Sequence, residues 1–246
     1  MHRLRTAFAF IFRGLSDTAF SVFAPPQCRF CRSTLLGHKN PFLCDKCAAA
    51  VEWIGEGACR GCGFPAGPYA SLGESCRHCR GKKLNLTAAA AVARYRGGAR
   101  SMVLALKFRG ETEMVRPMAA LMALRLEKTE IPRPDWVVPV PLYPKRVRMR
   151  GFNQAELLAA AVAKRSGFET RTDVLVKTVN AKPQSLLKRE ERFANASGAY
   201  AASEEMTGKS VLLVDDVMTT GATLADCARA CRAAGAKRVY ALVFAR

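Results

Sequence analysis

The stretch Val211-Leu-Leu-Val-Asp215-Asp216-Val217-Met218-Thr219-Thr220-Gly221-Ala222-Thr223-Leu224 carries three signals in succession. Val211 to Val214 is an unbroken aliphatic run, the pattern of a strand buried on both faces of a parallel sheet. Two acids follow at its end, where nothing about folding favours them. Adjacent carboxylates repel and lose hydration on burial, so they require hydroxyl donors, a cation or both. Thr219 to Thr223 are small residues whose N–H groups and hydroxyls can surround a phosphate at the start of a helix, where the helix dipole favours an anion. Carboxylates for vicinal hydroxyls beside a cradle for a phosphate describe a ribose 5-phosphate site.

Working outward, a helix is expected from about Ala222 to Ala234, stopped by Gly235, with a second strand from Val239 to Phe244. That is a βαβ unit. Upstream, Ala88 to Tyr95 reads as a strand ending at Gly97-Gly98, followed by a helix through Met102, Leu106 and Phe108 and another over about Met114 to Leu126. Pro132 and Pro134 break the chain before Trp136-Val-Val-Pro-Val140, a second buried parallel strand that opens into a basic loop. Asn153 is placed to cap the next helix, with Glu156 completing the reciprocal cap and Gly167 closing it, and Val174 to Val176 reads as the following strand. The alternation predicts an α/β fold with a parallel sheet, helices on both faces and ligands at the carboxyl ends of the strands. Cys227 and Cys231, four apart in a helical pattern with Leu224 and Ala228, read as small core residues.

The other eight cysteines form four CxxC pairs: Cys28 with Cys31, Cys44 with Cys47, Cys59 with Cys62, and Cys76 with Cys79. A CxxC turn puts two sulfurs on one side of a tight loop, and two such turns complete a tetrahedral zinc site. Sequential pairing gives one site from Cys28, Cys31, Cys44 and Cys47 and another from Cys59, Cys62, Cys76 and Cys79; interleaved pairing is the alternative. Gly61, Gly63 and Gly81 stand where the backbone must turn around the metal. All-cysteine coordination leaves no open position, so both metals are expected to be structural Zn²⁺. Disulfides would need an oxidising compartment, and the expected location is the cytoplasm. Arg29, Arg32, His38, Lys39, Lys46, Arg60, Arg77, His78, Arg80, Lys82 and Lys83 give this module a basic surface, with few aromatics for base stacking.

The formal charge is +19 over 246 residues, which favours polyanionic partners. Two zinc ions on eight thiolates would lower it to about +15. No apolar run reaches the ~18 residues of a membrane span. Arg5 to Phe23 reads as an amphipathic helix packing on the body, with binding to a membrane surface as the alternative; Arg13 and Asp17 interrupt the apolar core that a signal peptide needs. The expected organisation is therefore a helix over 1–24, a double zinc ribbon over 25–85 and an α/β body over 86–246.

The segment from Val211 resembles the motif of type I phosphoribosyltransferases that binds 5-phosphoribosyl 1-diphosphate (PRPP): an aliphatic run, two acids, an aliphatic residue, a variable residue, then Thr-Thr-Gly-x-Thr. Together with the cysteine pairs, Tyr95-Arg-Gly, Lys107-Phe-Arg-Gly110, Val138-Pro-Val-Pro141, Arg146 and Arg150-Gly-Phe-Asn-Gln154, the chain resembles the ComF (competence protein F, or GntX-like) family over nearly its full length. The resemblance implies that Asp215 and Asp216 are the catalytic acids holding the ribose hydroxyls. It further implies that Thr219, Thr220, Gly221, Ala222 and Thr223 hold the 5-phosphate, that Val217 and Met218 belong with them to the PRPP-binding segment, and that Pro141 to Arg150 form a pyrophosphate loop. Leu142, Lys145, Arg146, Arg148 and Arg150 lie in that loop, and Lys107 and Arg109 are further basic contacts. Gln184, Arg192 and Asn195 match the family in a polar segment, Ala181 to Ser197, expected to act as a lid.

The implied chemistry is Mg²⁺-assisted transfer of phosphoribosyl from PRPP to an acceptor with release of pyrophosphate. Thr219 stands where hypoxanthine-guanine enzymes carry a base-contacting Asp, which disfavours that subclass. The family also implies a link to DNA uptake, with single-stranded DNA and competence or DNA-processing proteins as partners. Two non-catalytic alternatives remain open from sequence: a single-stranded-DNA-binding factor, and a PRPP-responsive regulator that binds partners through its ribbons.

Overall fold

The computed structural model describes residues 27–28, 31–35, 43–55, 57–65, 76–178 and 198–246. The helix expected over Arg5 to Phe23, and the lid with Gln184, Arg192 and Asn195, lie outside the described residues. The chain forms two compact units, Met1–Ala50 and Val51–Arg246. In the first, helix α1 (Asp45–Ala49) starts at Cys44 and buries Cys47.

The second unit is built on five parallel strands: β1 (Ala88–Ala93), β2 (Trp136–Pro139), β3 (Glu169–Thr170), β6 (Ser210–Val217) and β7 (Arg238–Ala245). Their order across the sheet is β1-β7-β6-β2-β3. The apolar runs read from sequence are the inner strands: Val211 to Val214 pair with Trp136 to Pro139 on one side and Val239 to Leu242 on the other. Helices α2 (Gly97–Arg109) and α3 (Val115–Glu127) connect β1 to β2, α5 (Gln154–Ser166) follows β2, and α6 (Ala222–Ala233) joins β6 to β7.

The sense of each crossover fixes the faces. From β1 to β2 and from β2 to β3 the chain moves one way across the sheet; from β6 to β7 it moves the other way. Right-handed crossovers therefore put α3 and α5, which pack together, on one face and α6 on the opposite face. The connections diverge between β6 and β2, which makes that crevice, at the strands' carboxyl ends, the switch point where such sheets bind ligands.

Two local features differ from the sequence expectation. The segment around Val174 does not join the parallel sheet: β4 (Leu175–Lys177) pairs antiparallel with β5 (Tyr200–Ala202) in a separate ribbon, and Glu169–Thr170 supplies the edge strand. The basic segment after β2 is not a loop throughout. Pro144 sits in the first turn of a short helix, α4 (Pro144–Arg150), which ends at Gly151 with φ 85°.

The second cysteine pairings are built into this unit. Residues 52–55 and 57–60 flank the outer edge of β1, with Arg94 N donating to Glu52 O, Ile54 N to Val92 O, and Ala89 N to Arg60 O, each at 2.8 Å. They satisfy an edge that would otherwise present open backbone groups. Strand β1 is five alanines and one valine, all buried, and small side chains let the cysteine loop approach closely. At Gly63 (φ 66°) a Cβ would stand 3.2 Å from Ala91 N.

Candidate functional site

The structure resolves the cysteine pairing. Cys28, Cys31, Cys44 and Cys47 form one group and Cys59, Cys62, Cys76 and Cys79 the other, with the donor sulfurs of each group within 4.8 Å of one another. Observed separations are 3.5 Å for Cys31–Cys44 and 3.7 Å for both Cys59–Cys79 and Cys62–Cys76. Zinc–sulfur arms of about 2.3 Å in a tetrahedron give edges of about 3.8 Å, so both tetrads fit Zn²⁺. The metal would supply folding energy and a fixed turn, and no open coordination position for chemistry.

The acid pair lies at the switch point. Both carboxylates belong to β6 itself, which continues to Val217, instead of following it; the register pairs Asp215 with Val243. Asp216 is buried, and its Oδ2 is 2.7 Å from the Lys107 ammonium. Gln154 Nε2 donates to its Oδ1 at 3.3 Å, and Arg150 donates in turn to Gln154 Oε1. Asp215 Oδ1 accepts from the Asp216 amide at 2.8 Å. Burial, reinforced by the adjacent Asp216 charge and opposed by Lys107, raises the Asp215 carboxyl well above its ordinary value. Burial works against the Lys107 charge, but the two carboxylates prevail and its pKa is raised. One half-buried lysine and two buried acids thus form a charge cluster.

Residues Val217 to Leu224 line a cavity beside that cluster. Gly221, with φ 88°, is the N-cap of α6 and its carbonyl accepts from Ala225 N at 2.8 Å. A left-handed φ at this turn calls for glycine. Thr220 is buried, and its hydroxyl accepts from Ala222 N at 3.3 Å. Thr220 and Gly221 thus shape the loop from within, with a helix start behind it.

Basic residues gather across the crevice. Arg150 is half-buried; burial lowers its pKa, Arg146 adds repulsion, and the two acids counteract both. Lys177, at the end of β4, is lowered by burial and then by Arg146, and its ammonium donates to Tyr200 Oη at 3.1 Å. Arg146 adds repulsion to both Arg150 and Lys177, and such a cluster of cations forms a place for a multiply charged anion.

Of the residues expected from sequence, Asp215, Asp216, Lys107, Arg150 and the Val217 to Thr223 loop come together, with Arg146 facing Arg150 and Lys177. Pro141 and Leu142 are half-buried at the end of β2, and Lys145 is exposed. Arg109 turns away to an exposed pair with Glu111 at 2.7 Å. His78 stacks on Phe64 with ring centroids 3.6 Å apart, so it does not belong to a basic surface. Three residues were not legible beforehand. Gln154 read only as part of a family motif, Lys177 lay just beyond the strand expected over Val174 to Val176, and Asp226 fell inside the expected helix; yet buried Asp226 accepts from both Gly198 N (2.9 Å) and Ala199 N (2.8 Å), tying β5 to α6.

Residues 148–246 match the phosphoribosyl transferase domain, and residues 19–80 the double zinc ribbon domain. The fold and the site thus define a phosphoribosyltransferase-type α/β protein carrying a double zinc ribbon. The chain is 31% identical over 210 residues to the DNA utilization protein YhgH of Salmonella typhi, covering 83% of this chain and 90% of that protein. It is 26% identical to Competence protein F of Haemophilus influenzae, covering 89% and 96%, and 29% identical to Competence protein ComFC of Bacillus subtilis, covering 80% and 81%. It belongs to the ComF family. Among the described residues no helix is long and apolar enough to cross a membrane.

Proposed function

We propose that this chain binds PRPP in the crevice between β6 and β2 and transfers its phosphoribosyl group to an acceptor, releasing pyrophosphate, in the service of DNA uptake or use. The observation that carries the reading is the buried acid pair on β6, next to the cavity lined by Val217 to Leu224 and to the cations Arg150 and Lys177, on both of which Arg146 acts. A ligand with hydroxyls in its middle and phosphates at both ends matches those groups.

Asp215 and Asp216 accept the ribose hydroxyls, Thr219 to Thr223 take the 5-phosphate, and Arg146 and Arg150 take the pyrophosphate. As the bond from C1 to pyrophosphate breaks, positive charge grows on the ribose and negative charge on the leaving group. The carboxylates stabilise the first and the arginines the second, and burial strengthens both effects. Lys107, 2.7 Å from Asp216, holds positive charge beside the acid pair, within the same site as the phosphates. Mg²⁺ fits the hard oxygen donors of Asp215, Asp216 and the ligand, and when bound it screens the pyrophosphate charge. Thiolate zinc ligands accord with a reducing cytoplasm.

Calorimetric titration of zinc-quantified protein with PRPP, with and without Mg²⁺, tests binding. Binding is expected with Mg²⁺ and is expected to vanish when Asp215→Asn and Asp216→Asn are combined. Pyrophosphate release against a panel of bases and nucleosides tests transfer; PRPP binding with no productive acceptor would exclude turnover and leave a PRPP-responsive regulator. A second reading, single-stranded DNA binding by the ribbon, is supported by exposed Arg60, Arg77, Arg80 and Lys83 around the second tetrad. It requires steeply salt-dependent affinity.

A further inference from the structure

One side chain joins the second cysteine tetrad to the phosphate loop. Arg246 Nε donates to the carbonyl of Cys62, a tetrad residue, at 2.9 Å. Its Nη1 donates to the Met218 carbonyl at 3.0 Å and also to the Thr219 carbonyl. The guanidinium lies over the Phe64 ring at 5.5 Å from the centroid. Three carbonyl oxygens from two separate turns therefore converge on one planar cation, whose fixed fork can satisfy them together.

The consequence for the loop follows from peptide geometry. In a trans peptide the carbonyl oxygen and the next N–H point in opposite directions. Holding the carbonyls of Met218 and Thr219 on Arg246 therefore turns the N–H groups of Thr219 and Thr220 away from it, as two consecutive donors of an anion-binding nest. Leu84, a few residues beyond Cys79, backs the loop from the tetrad side: a Cβ on Gly221 would meet Leu84 Cδ2 at 3.1 Å and Met218 Cε at 2.7 Å. Neither the acids nor the pyrophosphate cations take part in these contacts.

We propose that Arg246 is a positioning residue for the phosphate loop, and that through it metal occupancy of the second tetrad sets the loop's affinity for a 5-phosphate. The proposal rests on the PRPP reading for its ligand but not for its mechanics. Coupling is reciprocal: if the occupied tetrad favours phosphate binding, the bound phosphate must slow release of that metal.

The test uses the full chain and three readouts. Ribose 5-phosphate probes the loop, inorganic pyrophosphate probes the cations across the crevice, and amide hydrogen exchange follows residues 218–224 directly. Arg246→Ala is expected to weaken ribose 5-phosphate about tenfold, to leave pyrophosphate affinity unchanged and to speed exchange in the loop. In the parent chain ribose 5-phosphate should slow chelator-driven release of one of the two zinc ions; in Arg246→Ala that protection should be lost. Arg246→Lys, with a single ammonium, covers the case in which the alanine variant does not fold and should fall between the two. Loop exchange and ribose 5-phosphate affinity equal to those of the parent chain would overturn the proposal, as would equal weakening of both ligands. If the parent chain binds no phosphoribosyl ligand, the PRPP reading fails by itself, and the exchange measurement still decides the role of Arg246.

Discussion

The two cysteine tetrads use the same turn and answer to different neighbours. In the first, Cys28 N donates to Ser33 O and Arg32 N to Cys28 O; in the second, Cys59 N donates to Phe64 O and Gly63 N to Cys59 O. The residue after the second cysteine is left-handed in both, with φ 62° at Arg32 and 66° at Gly63. The backbone requirement is thus the same, yet only one position is glycine. Gly63 abuts the backbone of β1, whereas the Arg32 side chain is exposed. Cys59, Cys62 and Cys79 belong to the apolar cluster that includes Leu213, Met218 and Leu224. Among the described residues, the glycine stands where the turn meets β1 and the arginine where the same turn faces solvent.

The largest expected effect separates the tetrads outright. Cys62→Ser should lose one zinc and lower the unfolding temperature of the sheet-bearing unit by more than about 10 °C, since several kcal/mol of metal-linked folding energy are at stake. Cys31→Ser should also lose one zinc but leave that transition in place; metal analysis with calorimetric unfolding checks both. Next, Lys107→Ala leaves buried Asp216 without its counter-charge, at an expected cost of about 3 kcal/mol in denaturant unfolding. Zinc at the second tetrad should become more labile to chelator with it, and zinc at the first should not. If both change alike, the contrast between the tetrads fails.

Gly63→Ala should cost about 2 kcal/mol, from left-handed strain plus the contact with Ala91, whereas Arg32→Gly should gain up to about 1 kcal/mol by relieving strain alone. Equal and opposite effects would mean that packing on β1 adds nothing. The smallest effect concerns pH. Because burial raises Asp215, the native chain holds its proton more tightly than the unfolded chain, so this group's contribution falls as pH rises from the unfolded value near 4 through the raised folded value. Asp215→Asn should flatten that fall and stabilise the sheet-bearing unit by a few degrees at neutral pH, measured by thermal unfolding across pH, without altering either tetrad's zinc content.

Much of this was legible in the chain. The aliphatic run from Val211 and the helix stopped at Gly235 announce β6, α6 and β7, because a buried parallel strand needs apolar residues on both faces and an amphipathic helix repeats every three to four residues. Asn153 accepts from Ala155 N at 3.1 Å, the cap its position implied. Val174 misled because a short apolar run looks alike in a parallel sheet and in an antiparallel ribbon. Lys107 and Arg109 are neighbours of one type, and only the packing of α2 sends one to Asp216 and the other to Glu111.

The sequence by itself determined the alternating α/β body, the acid pair with its phosphate loop, and the number and chemistry of the cysteine ligands, since each is a local pattern of residue types at fixed spacing. Tertiary structure decided the rest. It paired the cysteines sequentially, chose Lys107 over Arg109, brought Lys177 across the crevice, and joined Cys62 to the phosphate loop through Arg246, 184 residues away in the chain. Such contacts follow from the order of strands across the sheet, which brings distant segments to the same edge and which no local spacing encodes.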